Sequence, residues 1–203
     1  MIFDVLDEGG SVAEGRRFSV TNSELGFHTD NSFERAVPRY VMMYCLRVAL
    51  HGGVTQLVSG HSVLDRLSHS FPNVVDRLKA PFWFDRRGGI ALGERQCASY
   101  PVVAFDPRGP MIRYLRYYIE AGYAKANETI DPETRHALDV FDRLCVESES
   151  RANFLLAEQE VLVVNNHSTL HARTTFRDGA GVKRHMIRVW LQPETNPSPN
   201  TPA

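Results

Sequence analysis

The sequence predicts a mainly β fold: a β-barrel or sandwich core carrying helical insertions. Three observations predict it. Strand-sized apolar and aromatic runs recur along the chain, Gly- and Pro-containing turn clusters separate them, and only two stretches carry helical periodicity. In chain order, residues 40–50 are rich in Val, Met and Tyr and read as a strand. Gly52-Gly53 breaks it before the short apolar run 54–58. Residues 62–79 set Val63, Leu64, Leu67, Val74, Val75 and Leu78 at near-helical spacing, with Pro72 opening the second half. Residues 82–84, 101–105 and 111–118 read as extended and aromatic, separated by the turns Arg87-Gly88-Gly89 and Asp106-Pro107-Arg108-Gly109-Pro110. The clearest helix is 131–145: Asp131 can cap it, Pro132 suits its first turn, and Ala137, Leu138, Phe141 and Leu144 form a stripe. Residues 154–156, 161–164 and 182–191 complete the strands. There is no internal repeat.

A chain of 203 residues suits a single domain, expected over 1–192, with a frayed, disordered tail over 193–203 where prolines alternate with Asn, Ser and Thr. Apolar residues at 43% and charged residues at 23% match an ordinary globular protein rather than a disordered one. With 23 basic and 24 acidic side chains, the chain lacks the basic excess of a general nucleic-acid binder. No apolar run approaches the ~18 residues of a membrane span. The acidic N-terminus does not resemble an export signal. Cys45, Cys97 and Cys145 are odd in number and scattered, so buried thiols in a reducing cytoplasm are expected, not a disulfide frame or zinc knuckle.

Familiar motifs of nucleotide binding, serine hydrolysis and zinc proteolysis are absent. What remains is His28-Thr29-Asp30. On a strand, positions i and i+2 face the same side about 6.6 Å apart. An imidazole and a carboxylate could then reach one ion, and a distant second histidine would complete the two-His-one-carboxylate face of non-haem Fe(II) oxygenases. Alone the triplet says little, because 8 His and 24 acidic residues in 203 give roughly one H-x-[DE] by chance. Read without partners, His28 is better taken as a surface or capping residue. His51, His61, His69 and His136 read as loop or helix-surface residues, and His167 as part of a polar turn. His171 stands apart: it follows the apolar run 161–164 and precedes Arg184. Arg184, Met186, Arg188 and Trp190 share one face of the last strand. If that face points inward, its guanidiniums need anionic partners, and a carboxylate is the natural one; if outward, they are merely solubilising.

Four segments together resemble the taurine/2,4-dichlorophenoxyacetate dioxygenase superfamily of Fe(II)/2-oxoglutarate oxygenases, which includes clavaminate synthase-like members. They are the stretch from Gly26 to Phe33, the stretch from His51-Gly52-Gly53 through Thr55 to Ser59, the stretch from Asn165 through His171-Ala172-Arg173 to Phe176, and the closing run from Arg184 to Leu191. Thr55 lies 25 positions after Asp30, and Arg184 lies 13 after His171; both intervals fit the family pattern. The resemblance runs from about residue 17 to Gln192.

The resemblance implies a double-stranded β-helix core, jelly-roll or cupin-like, and makes His28, Asp30 and His171 the iron ligands. Arg184 would clamp the distal carboxylate of 2-oxoglutarate, helped by the Thr55 hydroxyl. Arg188 would lie near the iron-bound end of the cosubstrate or an anionic group of the substrate. The implied cofactors are Fe(II), 2-oxoglutarate and O2, and the implied reaction hydroxylates a small molecule with release of succinate and CO2. Because halogenating relatives lack the carboxylate ligand, an intact Asp30 favours hydroxylation, desaturation or ring closure. One departure is plain: only 27 residues precede His28, where relatives carry a longer region. A shortened sequence or a compact variant is expected. The expected partner is a small-molecule substrate, with no nucleic acid and no membrane, and the chain is open to forming a homo-oligomer. Two competing readings are a metal-free binding module of the same fold and a zinc hydrolase on the same triad. Neither requires a carboxylate clamp at Arg184.

Overall fold

A computed structural model describes residues 2–87 and 93–192; the expected Gly88-Gly89 turn and the expected disordered tail 193–203 lie outside them. The elements of the first half are β1 (Ile2–Leu6), β2 (Leu25–His28), β3 (Tyr40–Arg47), β4 (His51–Gly52), β5 (Thr55–Ser59), α1 (Gly60–Ser70), α2 (Pro72–Lys79) and β6 (Pro81–Asp85). The second half holds β7 (Cys97–Pro101), β8 (Val103–Asp106), β9 (Gly109–Ile112), α3 (Arg116–Ala126), α4 (Pro132–Glu147), β10 (Ala152–Phe154), β11 (Val161–Asn165), β12 (Thr169–Arg173), β13 (Phe176–Arg177) and β14 (His185–Leu191).

Two four-stranded antiparallel sheets face each other, ordered β1-β14-β3-β11 and β10-β5-β12-β2. This is the jelly-roll core. Alternation along each strand decides what lies between the sheets. From the first sheet Val41, Met43, Met186 and Arg188 point inward; from the second, Thr55 and His171 do. The opposite face of the second sheet is apolar. Val58 and Leu170 pair in register and are buried with Leu67, Leu78, Phe141 and Leu144 of the helices. The helical insertion therefore backs the sheet that carries His171 and holds it rigid from behind.

α4 follows its sequence signals. The Asp131 carboxylate accepts the Thr134 N–H at 2.9 Å, Pro132 opens the helix, and the Ala137–Leu138–Phe141–Leu144 stripe is buried. Residues 62–79 form two helices rather than one continuous run, because Phe71 precedes Pro72 and is driven out of the α region (φ −143°, ψ 57°).

The extended reading of 111–118 is corrected. The strand ends at Ile112, and α3 begins at Arg116. Tyr114, Tyr117 and Tyr118 resemble strand residues locally, but Ile119 is fully buried and Gly122 lies against β6. A Cβ on Gly122 would sit 2.6 Å from the Phe84 backbone, so tertiary packing overrides local propensity here. β1 is also unannounced by local pattern; it forms by pairing with β14, Ile2 opposite Val189. Cys45, Cys97 and Cys145 are free and buried. Among the described residues no helix is long and apolar enough to cross a membrane.

Candidate metal centre

His28 closes β2, His171 lies mid-strand on β12, and the two are direct register partners. Their ring centroids are 4.1 Å apart, tilted by 52°. Asp30 is not on the strand that the H-x-D spacing suggests. β2 stops at His28, and Asp30 enters a turn that continues through Asn31 at a left-handed φ of +54°.

That turn is held by buried hydrogen bonds. The Thr29 N–H donates to the Tyr114 carbonyl at 2.8 Å, and its hydroxyl donates to the Ile112 carbonyl while accepting the Tyr114 N–H, each at 3.0 Å. The fully buried Asn166 side chain grips Asp30 from both sides. Its Oδ1 accepts the Asp30 N–H at 2.7 Å, and its Nδ2 donates to the carbonyls of Asp30 and Pro38, both at 3.0 Å.

The imidazole Nε2 atoms of His28 and His171 lie 3.6 and 3.8 Å from Asp30 Oδ1. These distances are too long for good hydrogen bonds, and the donor atoms of all three residues lie within 4.8 Å of one another. The cup suits a shared cation. His28 Nδ1 donates to the Gly26 carbonyl at 3.0 Å, which leaves the Nε2 lone pair facing the cup. Burial, aided by the neighbouring His171, lowers the His28 pKa to about 4, so at neutral pH its imidazole is uncharged and able to donate to a metal. Burial opposes the Asp30 charge, but the Arg188 guanidinium and the two imidazoles outweigh it and hold the carboxyl well below its usual range. Two imidazoles and one carboxylate are the donor set of a facial metal triad.

The last strand does point inward, as one of the two sequence readings held. Arg188 Nη1 lies 3.2 Å from both Asp30 oxygens, and the Trp190 indole N–H donates to Asp30 Oδ2 at 2.8 Å. Arg188 thus finds its carboxylate inside the site. Arg184, just ahead of β14, is buried against the Phe176 ring at 5.2 Å, with Gly53 beside its chain. A Cβ at Gly53 would sit 3.2 Å from Arg184 Nε. Burial lowers the pKa of Arg184, and it lowers that of neighbouring Arg173 to about 10. Thr55 lies half-buried on β5 opposite Arg173.

Among the described residues, five side chains bury a polar atom without any partner: Ser32 Oγ, His171 Nδ1, Arg173 Nε, Arg184 Nη1 and Arg188 Nε. All five residues line the same cavity of about 140 Å³, together with His28, Asp30 and Thr55. Unmet hydrogen-bonding capacity is concentrated where a ligand would enter.

The other histidines stay apart from this cavity. His61, His69 and His136 are exposed on helices, His51 lies on the short β4, and His167 sits in its turn with Nε2 3.2 Å from the Val37 carbonyl. Sequence reasoning missed Thr29, Asn166, Arg17 and Arg87, and took Trp190 only as bulk. Arg17 and Arg87 line the cavity, Arg87 stacking over Tyr117 and Tyr118 at 5.5 and 5.3 Å. Their only local signal is a polar turn, which carries no information about a partner elsewhere.

A sequence profile described as "Taurine catabolism dioxygenase TauD, TfdA family" matches residues 4–190. FR-33289 synthase of Streptomyces rubellomurinus (strain ATCC 31215) is 25% identical over 179 residues, covering 86% of this chain and 51% of that protein. Gamma-butyrobetaine dioxygenase of Homo sapiens is 22% identical over 180 residues, covering 85% of this chain and 45% of that one. The chain spans about half the length of these curated relatives. Among solved structures, asparagine oxygenase in complex with Fe(II), 2S,3S-3-hydroxyasparagine and succinate superposes with a TM-score of 0.73 at 24% identity, covering 94% of this chain and 56% of that one. The non-heme iron oxygenase OrfP in complex with Fe and alpha-ketoglutaric acid gives 0.65 at 18% identity, with 94% and 56% covered.

Proposed function

Because this chain belongs to the taurine catabolism dioxygenase TauD, TfdA family, we propose that it is an Fe(II)- and 2-oxoglutarate-dependent dioxygenase that hydroxylates an unactivated C–H bond of a small molecule. The observation that carries this reading is Arg184: a buried guanidinium with an unpartnered Nη1, lining the cavity onto which the His28–Asp30–His171 cup opens. Neither a zinc hydrolase nor a metal-free binding module requires that group.

His28, Asp30 and His171 would hold the iron, which when bound supplies the oxidative chemistry that turns 2-oxoglutarate and O2 into succinate and CO2 while oxygen is inserted into the substrate. The protein's own work is binding and orientation. Arg184 receives the distal carboxylate of 2-oxoglutarate through its planar fork, and Thr55 adds a hydroxyl from the facing strand. Phe176 and Gly53 fix the direction in which that fork points. Met43, Leu162, Val164 and Met186 make the inner wall apolar, which excludes water and strengthens each of these charged contacts.

The charge on the cavity wall supports a substrate with an acid group. Arg17, Arg87, Arg173, Arg184 and Arg188 line it, with Asp30 as the only carboxylate among the described residues. The buried Asp85 behind Arg87 is shared with Lys125 at 2.7 Å. After the cosubstrate and Asp30 are counted, guanidinium charge remains at Arg17, Arg87 and Arg173, the last held only by the neutral Thr21 and Ser23 carbonyls. A panel of small carboxylates, sulfonates and phosphates, screened by succinate release over uncoupled decay, tests the reading. Stimulation by one acid class is expected, and failure to consume 2-oxoglutarate with iron saturating contradicts it.

A further inference from the structure

We propose that Trp190 is a positioning residue that makes Asp30 a one-oxygen ligand, reserving Oδ1 for the metal shared with His28 and His171. The proposal rests on the metal-centre reading above. The two oxygens of Asp30 have different surroundings. Oδ1 is the one that both imidazole Nε2 atoms approach, at 3.6 and 3.8 Å. Oδ2 receives the Trp190 indole N–H at 2.8 Å. Arg188 Nη1 lies 3.2 Å from each oxygen and donates its hydrogen bond to Oδ1, so it neutralises the carboxylate while leaving Oδ1 a second lone pair for the cup. Trp190 is the side chain that donates to Oδ2.

The indole is suited to this. It carries one donor and no acceptor, so its N–H has a single use, and a carboxylate oxygen is the strongest neutral-donor partner on offer. Its orientation is set by the Arg188 guanidinium lying over the indole at 4.9 Å and by the pairing of its backbone with Val41 of β3; the Phe3 ring adds an apolar contact at 4.3 Å. The consequence is chemical. A carboxylate free to offer both oxygens would occupy a further coordination position, in a site that must keep positions open for a chelating cosubstrate and O2.

Trp190→Phe deletes the N–H and keeps an aromatic ring against Phe3. Phe3→Leu loosens the same packing and keeps the N–H. Cobalt(II) is the probe, titrated into the metal-free protein and followed by its visible ligand-field bands, with no turnover involved. Trp190→Phe is expected to change band positions and intensity and to weaken cobalt affinity on the order of ten- to a hundredfold, while Phe3→Leu keeps the wild-type spectrum. An unchanged spectrum and affinity in Trp190→Phe overturn the positioning role alone, as does a Phe3→Leu spectrum that matches Trp190→Phe. If the wild-type protein itself gives no ligand-field spectrum, the metal-centre reading falls and takes this proposal with it.

Discussion

His28 and His171 stand directly opposite each other across β2 and β12, so the pairing of two strands 143 residues apart sets the spacing of two imidazoles. The third member of the cup arrives differently. Asp30 is brought to them by a turn whose backbone is clamped by Asn166, only five residues ahead of His171. One short segment, 166–171, therefore carries one donor and positions another.

His171→Ala removes a donor from an open polar cup and should abolish iron binding and 2-oxoglutarate turnover. It should cost the fold little, within about 1 kcal/mol, since His171 Nδ1 has no hydrogen bond to lose. Calorimetric iron titration and thermal melting check both halves. Normal succinate production by the variant would remove His171 from the ligand set.

Arg184→Lys replaces a planar fork with a point charge. Losing a charge-assisted hydrogen bond of roughly 1.5–3 kcal/mol should raise the 2-oxoglutarate requirement ten- to a hundredfold, with iron saturating. An unchanged KM for 2-oxoglutarate would assign the clamp to another residue, Arg188 first.

Asn166→Ala leaves the Asp30 N–H and the Asp30 and Pro38 carbonyls buried without their partner. The expected cost is about 2–4 kcal/mol of stability. Metal affinity should fall alongside, because the Asp30 turn is freed. Urea denaturation and cobalt titration read the two effects; wild-type stability would mean that the turn holds itself.

The metal-free protein should lose stability as pH falls from about 6.5 towards 4. His28 has a folded pKa of about 4 against an ordinary 6.5, so the unfolded chain takes up a proton in that window and the folded one does not. Its stabilising contribution is full above pH 6.5 and amounts to roughly 2–3 kcal/mol, lost on acidification. Asp30, held below its usual range, adds to the loss at still lower pH. Denaturant midpoints at pH 7 and pH 4.5 measure it; equal midpoints contradict the burial of a neutral His28.

Most of the candidate site is legible only through the family resemblance, since the H-x-D spacing alone says little. His28, Asp30, Thr55, His171, Arg184 and Arg188 all line one cavity. The residues alone point to a barrel or sandwich with helical insertions, and the resemblance narrows that to the jelly roll. What could not be read depends on partners remote in sequence. Trp190 looks like strand bulk until Asp30 lies beside its N–H. Asn166 looks like a turn residue until the turn is seen gripping another. α3 is hidden because its tyrosines favour a strand locally, and only close packing of Gly122 on β6 makes the helix the better choice. The strand assumed for Asp30 fails for a related reason: alternation sets faces within a strand, but Thr29 and Asn166 end the strand early.

The most direct measurement is an anaerobic titration of the metal-free protein with Fe(II) followed by 2-oxoglutarate, watched in the visible range. Chelation of 2-oxoglutarate by iron held in the His28–Asp30–His171 cup gives a weak charge-transfer band that saturates with cosubstrate, disappears in His171→Ala, and in Arg184→Lys requires ten- to a hundredfold more 2-oxoglutarate. No band from the wild-type protein at saturating iron and 2-oxoglutarate would contradict the assignment of this cavity as a ferrous 2-oxoglutarate site.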